Sequence, residues 1–278
     1  MMENNNITVL VCCHKKDYWH DGPGFLPIQV GKAISSIDLN IVADDTGDNI
    51  SSKNPYYCEL TALYWYWKNC TPTKYVGLNH YRRYFDFSSG CKWGIARTSL
   101  SEDKILSNPP NLEVVENLLK KYDIILPKPL VSQFPISIQY SISHISNDLK
   151  ILEEAVKKVS PEYMEAYNKV LNGNKFSPYN MFITKNTIFI KYVEWLFKVL
   201  SEVEKHLKIS AYPDQARVFG YLSERLMSVF VTHHCLKVKY VPILKVSDEP
   251  GNNRIKEITL NGLKTIFAKT YLLAKNVK

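Results

Sequence analysis

The sequence is 278 residues long, with 45% hydrophobic and 22% charged side chains, and this composition is typical of an ordinary globular chain with material for a sizeable core. Its 35 lysines and arginines against 27 acidic residues leave a formal charge of +8. That balance suits a phosphorylated or polyanionic ligand or an anionic membrane surface, and charge alone does not choose among them. Length and composition predict one large domain, alone or with a small appendage.

The cysteines exclude two further classes of protein. They lie far apart or directly adjacent and form no C-x-x-C pair, so neither a disulfide framework nor a zinc ribbon is indicated. The six are Cys12, Cys13, Cys58, Cys70, Cys91 and Cys235. The segment MMENNNITVLVCCHKK lacks a basic n-region, and its apolar run is about half of what a secretory signal or a membrane span needs. Buried thiols in a cytoplasmic protein are therefore expected.

Strand-like and helix-like segments alternate along the chain. The predicted strands are ITVLVCC (7–13), KYVGL (74–78), DIILP (123–127), YNMFIT (179–184) and KVKYVPIL (237–244). The predicted helices are YYCELTALYWYWKN (56–69), NLEVVENLLKKY (111–122), SNDLKILEEAVKKV (146–159), SPEYMEAYNKVL (160–171), NTIFIKYVEWLFKVLSEVEKHL (186–207) and DQARVFGYLSERLMSVFVTHHC (214–235). This order predicts an α/β fold with a mostly parallel central sheet flanked by helices, a more helical C-terminal half, and ligands at the carboxyl ends of the strands.

The end of the first strand carries no known nucleotide motif. Neither G-x-G-x-x-G nor a G-K-[ST] loop follows it, which disfavours a Rossmann cofactor site and a P-loop. His14 and Lys15 come directly after VLVCC and are candidate donor-binding residues. The alternative for this lysine-rich strand exit is a solvated loop.

The segment DDTGDN contains Asp44, Asp45 and Asp48 around Gly47. Its spacing does not match the calcium loop D-x-[DN]-x-[DN]-G, so metal binding is not favoured. One interpretation is a turn in which Gly47 has a positive φ and the acids accept hydrogen bonds from local amides. The other is that the acids bind sugar or ribose hydroxyls.

Six segments together resemble a known family. They are PIQVGKAIS, DDTGDNISSKNPYYCELTALYWYWKN, YVGLNHYRRYF, YDIILPKP, YNMFITK and GYLSERL. They resemble the bacterial capsular and exopolysaccharide biosynthesis family, once known as a domain of unknown function, whose members are glycosyltransferases. Some are similar to the β-galactofuranosyltransferase module of O-antigen synthesis enzymes. The resemblance implies a GT-A-like domain over residues 1–245 and a nucleotide-sugar donor, a UDP-sugar in particular; neither the sugar nor the acceptor carries over.

The segment GLNHYRR occupies the place where many GT-A enzymes have a metal-binding D-x-D. No acid occurs there until Asp86, yet a departing UDP must be stabilised. Arg82 and Arg83 offer planar donors matched to phosphate, and His80, with Asn79 beside it, can add another. The hypothesis is a metal-independent diphosphate site without a cofactor. The alternative is that the arginines pair with acids such as Asp86 or Asp45 and organise the loop.

An inverting transfer needs a general base near the acceptor hydroxyl. Glu224 is the first candidate, because GYLSERL resembles the acidic helical motif that faces the acceptor in many inverting GT-A enzymes. A helix-surface ion pair with Arg225 is the alternative. Asp45 and Asp48 are the next candidates for the base.

Three further residues are candidates for the acceptor side. His144 and Asp148 are four apart and share a face if their stretch is helical. A polar helix cap is the other interpretation of this pair. Asn180, in SPYNMFI, resembles the asparagine that precedes the acceptor-side strand of related retaining enzymes.

The segment 246–278 is predicted to be a basic amphipathic tail. Its apolar residues recur at helical intervals between lysines, which favours either peripheral contact with the inner membrane, where polyprenyl-linked acceptors occur, or packing on the domain. The expected partners are a nucleotide sugar and a glycan or polyprenyl-linked acceptor. Nucleic acid is not expected, because no basic stripe with interleaved aromatics recurs. A catalytically silent sugar-nucleotide-binding or assembly protein is the alternative function.

Overall fold

The computed structural model describes residues 6–87, 95–99 and 112–247. Within these ranges the strands are β1 (Ile7–Cys13), β2 (Phe25–Gln29), β3 (Val42–Ala43), β4 (Tyr75–His80), β5 (Arg83–Phe85), β6 (Ile95–Ser99), β7 (Ile124–Pro127), β8 (Leu130–Val131), β9 (Lys175–Phe176), β10 (Phe182–Lys185), β11 (Val238–Val241) and β12 (Ile243–Ser247). The helices are α1 (Asn54–Tyr57), α2 (Leu60–Asn69), α3 (Leu112–Leu119), α4 (Ile136–Ser143), α5 (Ser146–Val159), α6 (Met164–Asn172), α7 (Asn186–Glu204), α8 (Pro213–Ala216) and α9 (Val218–His233).

A mostly parallel sheet forms the centre of the molecule, in the order β11-β7-β10-β4-β1-β2-β3. Strand β10 pairs antiparallel with both β4 and β7, while β1 is parallel to β2 and β4, and β7 is parallel to β11. Strand β12 joins the sheet through β5, which pairs with β4, and β6 pairs with β12. This arrangement confirms the predicted α/β fold with a mostly parallel sheet.

Strand β1 is central because both of its faces are covered. Its continuous apolar run leaves Val9, Leu10 and Val11 fully buried, as expected for a parallel strand between two layers. One layer contains α2, α7 and α9, and their aromatic and aliphatic side chains pack with Leu10 and Leu78. On the other side, Val9 packs in a smaller core that includes residues of α3. The carboxyl ends of β1, β2, β3, β4 and β7 lie along one edge, called here the carboxyl edge.

Gly77 lies where two strands approach β4 too closely for a side chain. A Cβ there would lie 2.9 Å from the Phe182 carbonyl oxygen and 2.9 Å from Ile183 Cγ1. We expect Gly77→Ala to lower the free energy of unfolding by about 1–3 kcal/mol through overpacking. Urea unfolding followed by circular dichroism measures this change. Ser201→Ala, on the exposed face of α7, is the control and should stay within about 0.5 kcal/mol of the parent; equal midpoints for both variants would contradict the packing argument.

Three predicted elements are interrupted. The predicted helix 56–69 is divided at Cys58, whose φ is 52°. The predicted helix 214–235 is divided at Arg217, which lies between α8 and α9. The last predicted strand is divided at Pro242, because proline cannot donate the ladder hydrogen bond.

His144 and Asp148 do not share a helix face as predicted for a helical stretch, since no single helix contains both. Helix α4 ends at Ser143, and His144 is its extended C-terminal cap. Asp148 lies in the first turn of α5. Ser160, the first residue of the next predicted helix, makes no capping hydrogen bond, and its hydroxyl accepts from the buried Trp195 indole at 3.0 Å.

The predicted domain boundary at residue 245 falls inside β12. Residues 248–278, and with them the predicted amphipathic tail, lie outside the described residues. Among the helices that the structure describes, none combines the length and apolarity needed to cross a bilayer.

Candidate functional site

The segment His80 to Arg83 forms a tight hairpin at the carboxyl edge. Strand β4 ends at His80, Tyr81 and Arg82 make the turn, and β5 begins at Arg83, which pairs with His80. His80 also lies beside Cys12 of β1 in the parallel register. The hairpin therefore places the two consecutive arginines differently: Arg82 in the turn and Arg83 on a strand next to His80.

Arg82 is held by an acid that follows β1. Its Nε and Nη2 donate to Asp17 Oδ2 at 2.9 and 2.6 Å, and the two side chains are 26% and 13% exposed. The Val246 N–H donates to the Arg82 carbonyl at 3.0 Å. Arg82 thus ties the hairpin to the β1 loop and to β12.

Arg83 has a different environment. Its guanidinium carbon lies 4.7 Å from the centre of the Tyr179 ring. Its Nε is buried and finds no hydrogen-bond partner among the described residues. A buried donor left without a partner is costly, so this is a position where an anionic ligand would relieve the cost.

The turn before β10 has a strained backbone and is held by several side-chain hydrogen bonds. Tyr179 and Asn180 have φ values of 73° and 54°, a left-handed conformation that non-glycine residues rarely adopt. The Asn180 amide nitrogen donates to Glu59 Oε1 at 2.7 Å and to the Gly220 carbonyl at 3.0 Å, and the Ser223 hydroxyl donates to Asn180 Oδ1 at 2.8 Å. Surrounding bonds that over-determine a strained turn are characteristic of functional sites.

His80 fastens this turn to β4. Its Nε2 lies 2.7 Å from the Tyr179 carbonyl oxygen, and because a carbonyl only accepts, Nε2 carries the hydrogen. Burial lowers the pKa of His80, Arg83 and Arg217 lower it further, and Glu59 opposes the shift. We conclude that the ring is neutral and points Nε2–H at the turn.

Glu224 of α9 is fixed at both carboxylate oxygens. Oε1 accepts from the Tyr179 N–H at 2.7 Å, and Oε2 accepts from Arg225 Nη1 at 2.8 Å. Burial raises the pKa of Glu224 above the usual glutamate value, although Arg225 and the Tyr179 N–H act in the opposite direction. A half-buried carboxylate with a raised pKa has the properties of a general base.

The ion pair of Glu224 with Arg225 is not on the surface. Arg225 is 2% exposed. Its guanidinium carbon lies 4.3 Å from the Phe176 ring centre and 5.2 Å from that of Tyr140, and Nη2 donates to Gln139. Arg225 is therefore a buried support for the Glu224 carboxylate.

The acids that follow β3 have separate environments. The Asp44 carboxylate is fully buried and accepts from the Gly31 and Lys32 N–H groups and from the Ser51 hydroxyl. Asp45 and Asp48 are exposed, and Asp48 accepts from the Tyr64 hydroxyl. They lie three strand spacings from β4, about 14 Å along the carboxyl edge. The residues that the structure describes include no cluster of three or more His, Cys, Asp or Glu arranged to hold a metal.

The other predicted donor-side residues lie around the hairpin. The His14 ring packs edge-on against Tyr81 at 5.3 Å, and Lys15 Nζ is 3.8 Å from Asp17. Desolvation lowers the pKa of His14, and nearby cations lower it further. Asn79 is buried and faces the side of the sheet opposite to His80, because adjacent strand residues alternate.

The predicted acceptor-side pair meets around one tyrosine. The Tyr140 hydroxyl donates to Asp148 Oδ2 at 3.2 Å, and the His144 ring lies 4.7 Å from the Tyr140 ring. Burial raises the pKa of Asp148 to about 6. His144 also stacks on Tyr221 of α9 at 4.0 Å, so the pair connects to the helix that carries Glu224.

Four residues of the site were missed by the sequence analysis: Asp17, Glu59, Tyr179 and Arg217. Glu59 had a usable signal, since it is an acid at the start of an otherwise apolar helix pattern and is 8% exposed. The others had none, because their roles depend on contacts with distant segments.

The described fold is that of a known glycosyltransferase structure. An apo structure of the bifunctional glycosyltransferase WbbM matches with a TM-score of 0.81 and 32% identity, over 88% of this chain and 46% of that chain. The chain therefore spans about half the length of that protein, 46%. By this measure the chain has a glycosyltransferase-like fold.

A family profile agrees with the structural match. Residues 8–235 match the family described as Domain of unknown function (DUF4422), and the chain belongs to this family. The comparison with curated proteins finds no match. The expected relationship to a glycosyltransferase-like family is confirmed at this level.

Proposed function

We propose that the protein transfers a sugar from a UDP-sugar to a glycan or lipid-linked acceptor, with inversion at the anomeric carbon and without a metal. The observation that carries this proposal is that one residue, Tyr179, contacts both an arginine and a glutamate. Arg83 lies over the ring of Tyr179, and Glu224 accepts the N–H of the same residue. The proposed cation for the leaving group and the proposed base for the acceptor thus contact the same residue.

Arg83 and His80 form the diphosphate half of the proposed site. As the bond from C1 to the phosphate oxygen breaks, charge develops on the diphosphate, and the Arg83 guanidinium would stabilise it. His80, whose Nε2–H donates to the Tyr179 carbonyl, would hold the turn beneath the Arg83 guanidinium. His14 and Lys15, at the end of β1, add further donors beside the hairpin. Asp45 and Asp48, at the end of β3, are placed to bind ribose or sugar hydroxyls.

Glu224 supplies the other half. Its carboxylate takes the proton of the acceptor hydroxyl while the acceptor oxygen forms a bond to C1 and UDP departs from the opposite face. Asp45 and Asp48 remain the alternative bases, but both are exposed and lie farther along the carboxyl edge. His144, Asp148 and Asn180 belong to the acceptor side in this proposal.

The pathway we propose is capsule, exopolysaccharide or O-antigen synthesis, with galactofuranose as one candidate sugar. This pathway rests on the family resemblance, and the match to WbbM supports glycosyl transfer. An enzyme of this kind would work in the cytoplasm, with peripheral membrane contact through residues 246–278 where its acceptor is polyprenyl-linked.

Release of UDP from a panel of UDP-sugars, including UDP-galactofuranose, tests the proposal with purified protein. We expect release of UDP with at least one donor, and an unchanged rate in excess EDTA because protein cations stabilise the diphosphate. Activity that EDTA abolishes and Mn²⁺ restores would contradict the metal-independent mechanism. Binding of a donor, measured as a rise in melting temperature, without hydrolysis or transfer to any acceptor would instead favour a silent sugar-nucleotide-binding protein.

A further inference from the structure

Arg217 is an arginine at the site that the sequence patterns did not single out. It lies at the break between α8 and α9, as the residue that caps the start of α9. Its Nε lies 3.3 Å from Cys58 Sγ, and its guanidinium carbon lies 5.9 Å from the Tyr221 ring centre. Of the three guanidinium nitrogens, Nε makes the contact with the thiol.

Two residues, Cys58 and Gly220, shape the surroundings of the Arg217 guanidinium. Cys58 has a φ of 52° and a ψ of −132°, a conformation that non-glycine residues rarely adopt. Residue 220 is a glycine, and a Cβ there would lie 3.2 Å from Cys58 Sγ. The Gly220 carbonyl also accepts from the Asn180 side chain, so the surroundings of Arg217 are connected to the strained turn at Tyr179 and Asn180.

The charges around Arg217 distinguish it from Arg82 and Arg225. Arg82 is paired with Asp17, and Arg225 is paired with Glu224. Among the described residues, no carboxylate forms an ion pair with either Arg83 or Arg217. The proximity of Arg217 lowers the pKa values of both His14 and His80, which follow β1 and end β4. Cys58, the thiol partner of Arg217, directly precedes Glu59, whose carboxylate lies 3.9 Å from His80 Nε2. Arg83 pairs with His80 across the hairpin, so both arginines lie near His80.

We propose that Arg217 is a second diphosphate-binding residue, which clamps the leaving group together with Arg83, and that the thiol of Cys58 and the absence of a side chain at Gly220 hold its guanidinium in place. Arg83 approaches from the β4–β5 hairpin and Arg217 from the start of α9. Two planar guanidinium groups match the oxygens of two linked phosphates. The N-terminus of the 16-residue helix α9 adds a positive dipole at the same point. The inference rests on the proposed function, because that function requires a diphosphate at this edge.

Titration calorimetry with UDP, uridine and inorganic pyrophosphate tests this assignment. We expect Arg217→Ala to weaken UDP binding by about 10–100-fold, the loss typical of one charge-assisted contact. Uridine binding should not change, because uridine lacks the phosphates. Arg217→Lys keeps the charge without the fork and should recover part of the affinity for UDP. Lys198→Ala removes the same charge from an exposed position of α7 and should bind UDP like the parent.

The outcomes separate this inference from the proposed function. If the parent binds UDP and Arg217→Ala, folded by its melting temperature, binds it equally well, the role of Arg217 is wrong while the proposed function stands. If the parent binds pyrophosphate but not UDP, and Arg217→Ala loses pyrophosphate, the clamp is supported and the choice of UDP is wrong. A parent that binds neither probe overturns both. Equal losses of uridine and UDP would indicate a structural role and would also overturn the clamp.

Discussion

Glu224→Gln is expected to lower the kcat of glycosyl transfer by about 10²–10⁴-fold, the range for removal of a general base. The amide keeps the shape of the carboxylate, and its oxygen can still accept from the Tyr179 N–H, so the strained turn is retained. An amide cannot take the acceptor proton. Donor binding should change little, because Arg83 and His80 are untouched. Steady-state transfer kinetics beside calorimetry with UDP separate the two effects; a Glu224→Gln variant with parental kcat would contradict the assignment.

The pH dependence of kcat tests whether Glu224 acts as the base. The base acts only when ionised, so the rate should fall as pH decreases through its pKa. Burial raises that pKa, so the fall should occur at a higher pH than an ordinary glutamate would produce. The remaining activity of Glu224→Gln should lack this acid limb.

Asp148 supplies the discriminating control for that pH profile. Burial raises its pKa to about 6, so its ionisation could produce a similar acid limb. We expect Asp148→Asn to keep the limb, since the Asp148 carboxylate is connected to the helix of Glu224 through three aromatic rings, those of Tyr140, His144 and Tyr221. If Asp148→Asn removes the limb and Glu224→Gln retains it, Asp148 is the group that titrates.

The central fold could be predicted because local pattern and tertiary packing agree there. Strand β1 has the predicted bounds, Ile7–Cys13, since a continuous β-branched run is what a strand covered on both faces requires. Helix α5 likewise has the predicted bounds, Ser146–Val159. The antiparallel direction of β10 could not be read from its sequence, because strand direction depends on pairing with β4 and β7.

The breaks at Cys58 and Arg217 could not be predicted from periodicity. Apolar residues continue at helical intervals on both sides of each break, and neither position is a proline or a glycine. The two breaks contact each other, because the Arg217 Nε–H donates to Cys58 Sγ. Such a contact joins residues 159 positions apart, which no local pattern records.

The sequence singled out the segment from His80 to Arg83 as a candidate site but could not separate the roles of its two arginines. The segment from His80 to Arg83 was identified as a unit, and its two arginines differ only through distant partners. Arg82 meets Asp17, 65 residues away in sequence. Arg83 meets the ring of Tyr179, in a left-handed turn with no glycine to indicate it.

Arg83→Ala is expected to lower the kcat of transfer by about 10²–10³-fold, the effect of removing one preorganised donor from a developing charge. The Arg83 Nε is buried and has no hydrogen-bond partner among the described residues. We therefore expect this group to donate to the leaving diphosphate. The affinity for UDP should fall in parallel, because the leaving diphosphate carries the charge that Arg83 neutralises. Transfer rates and UDP calorimetry on the same preparation measure both.

Arg82→Ala is the matched variant, one residue away and equal in charge change. Because Arg82 is paired with Asp17, its loss should mainly lower the free energy of unfolding, by about 1 kcal/mol for a half-buried pair, with a smaller effect on kcat than Arg83→Ala. A cycle with Asp17→Ala isolates the coupling between the two side chains. If Arg82→Ala reduces kcat as much as Arg83→Ala while the coupling to Asp17 is near zero, both guanidinium groups act on the diphosphate. If instead only Arg83→Ala reduces kcat, the hairpin separates a residue that holds the loop from a residue that stabilises the leaving group.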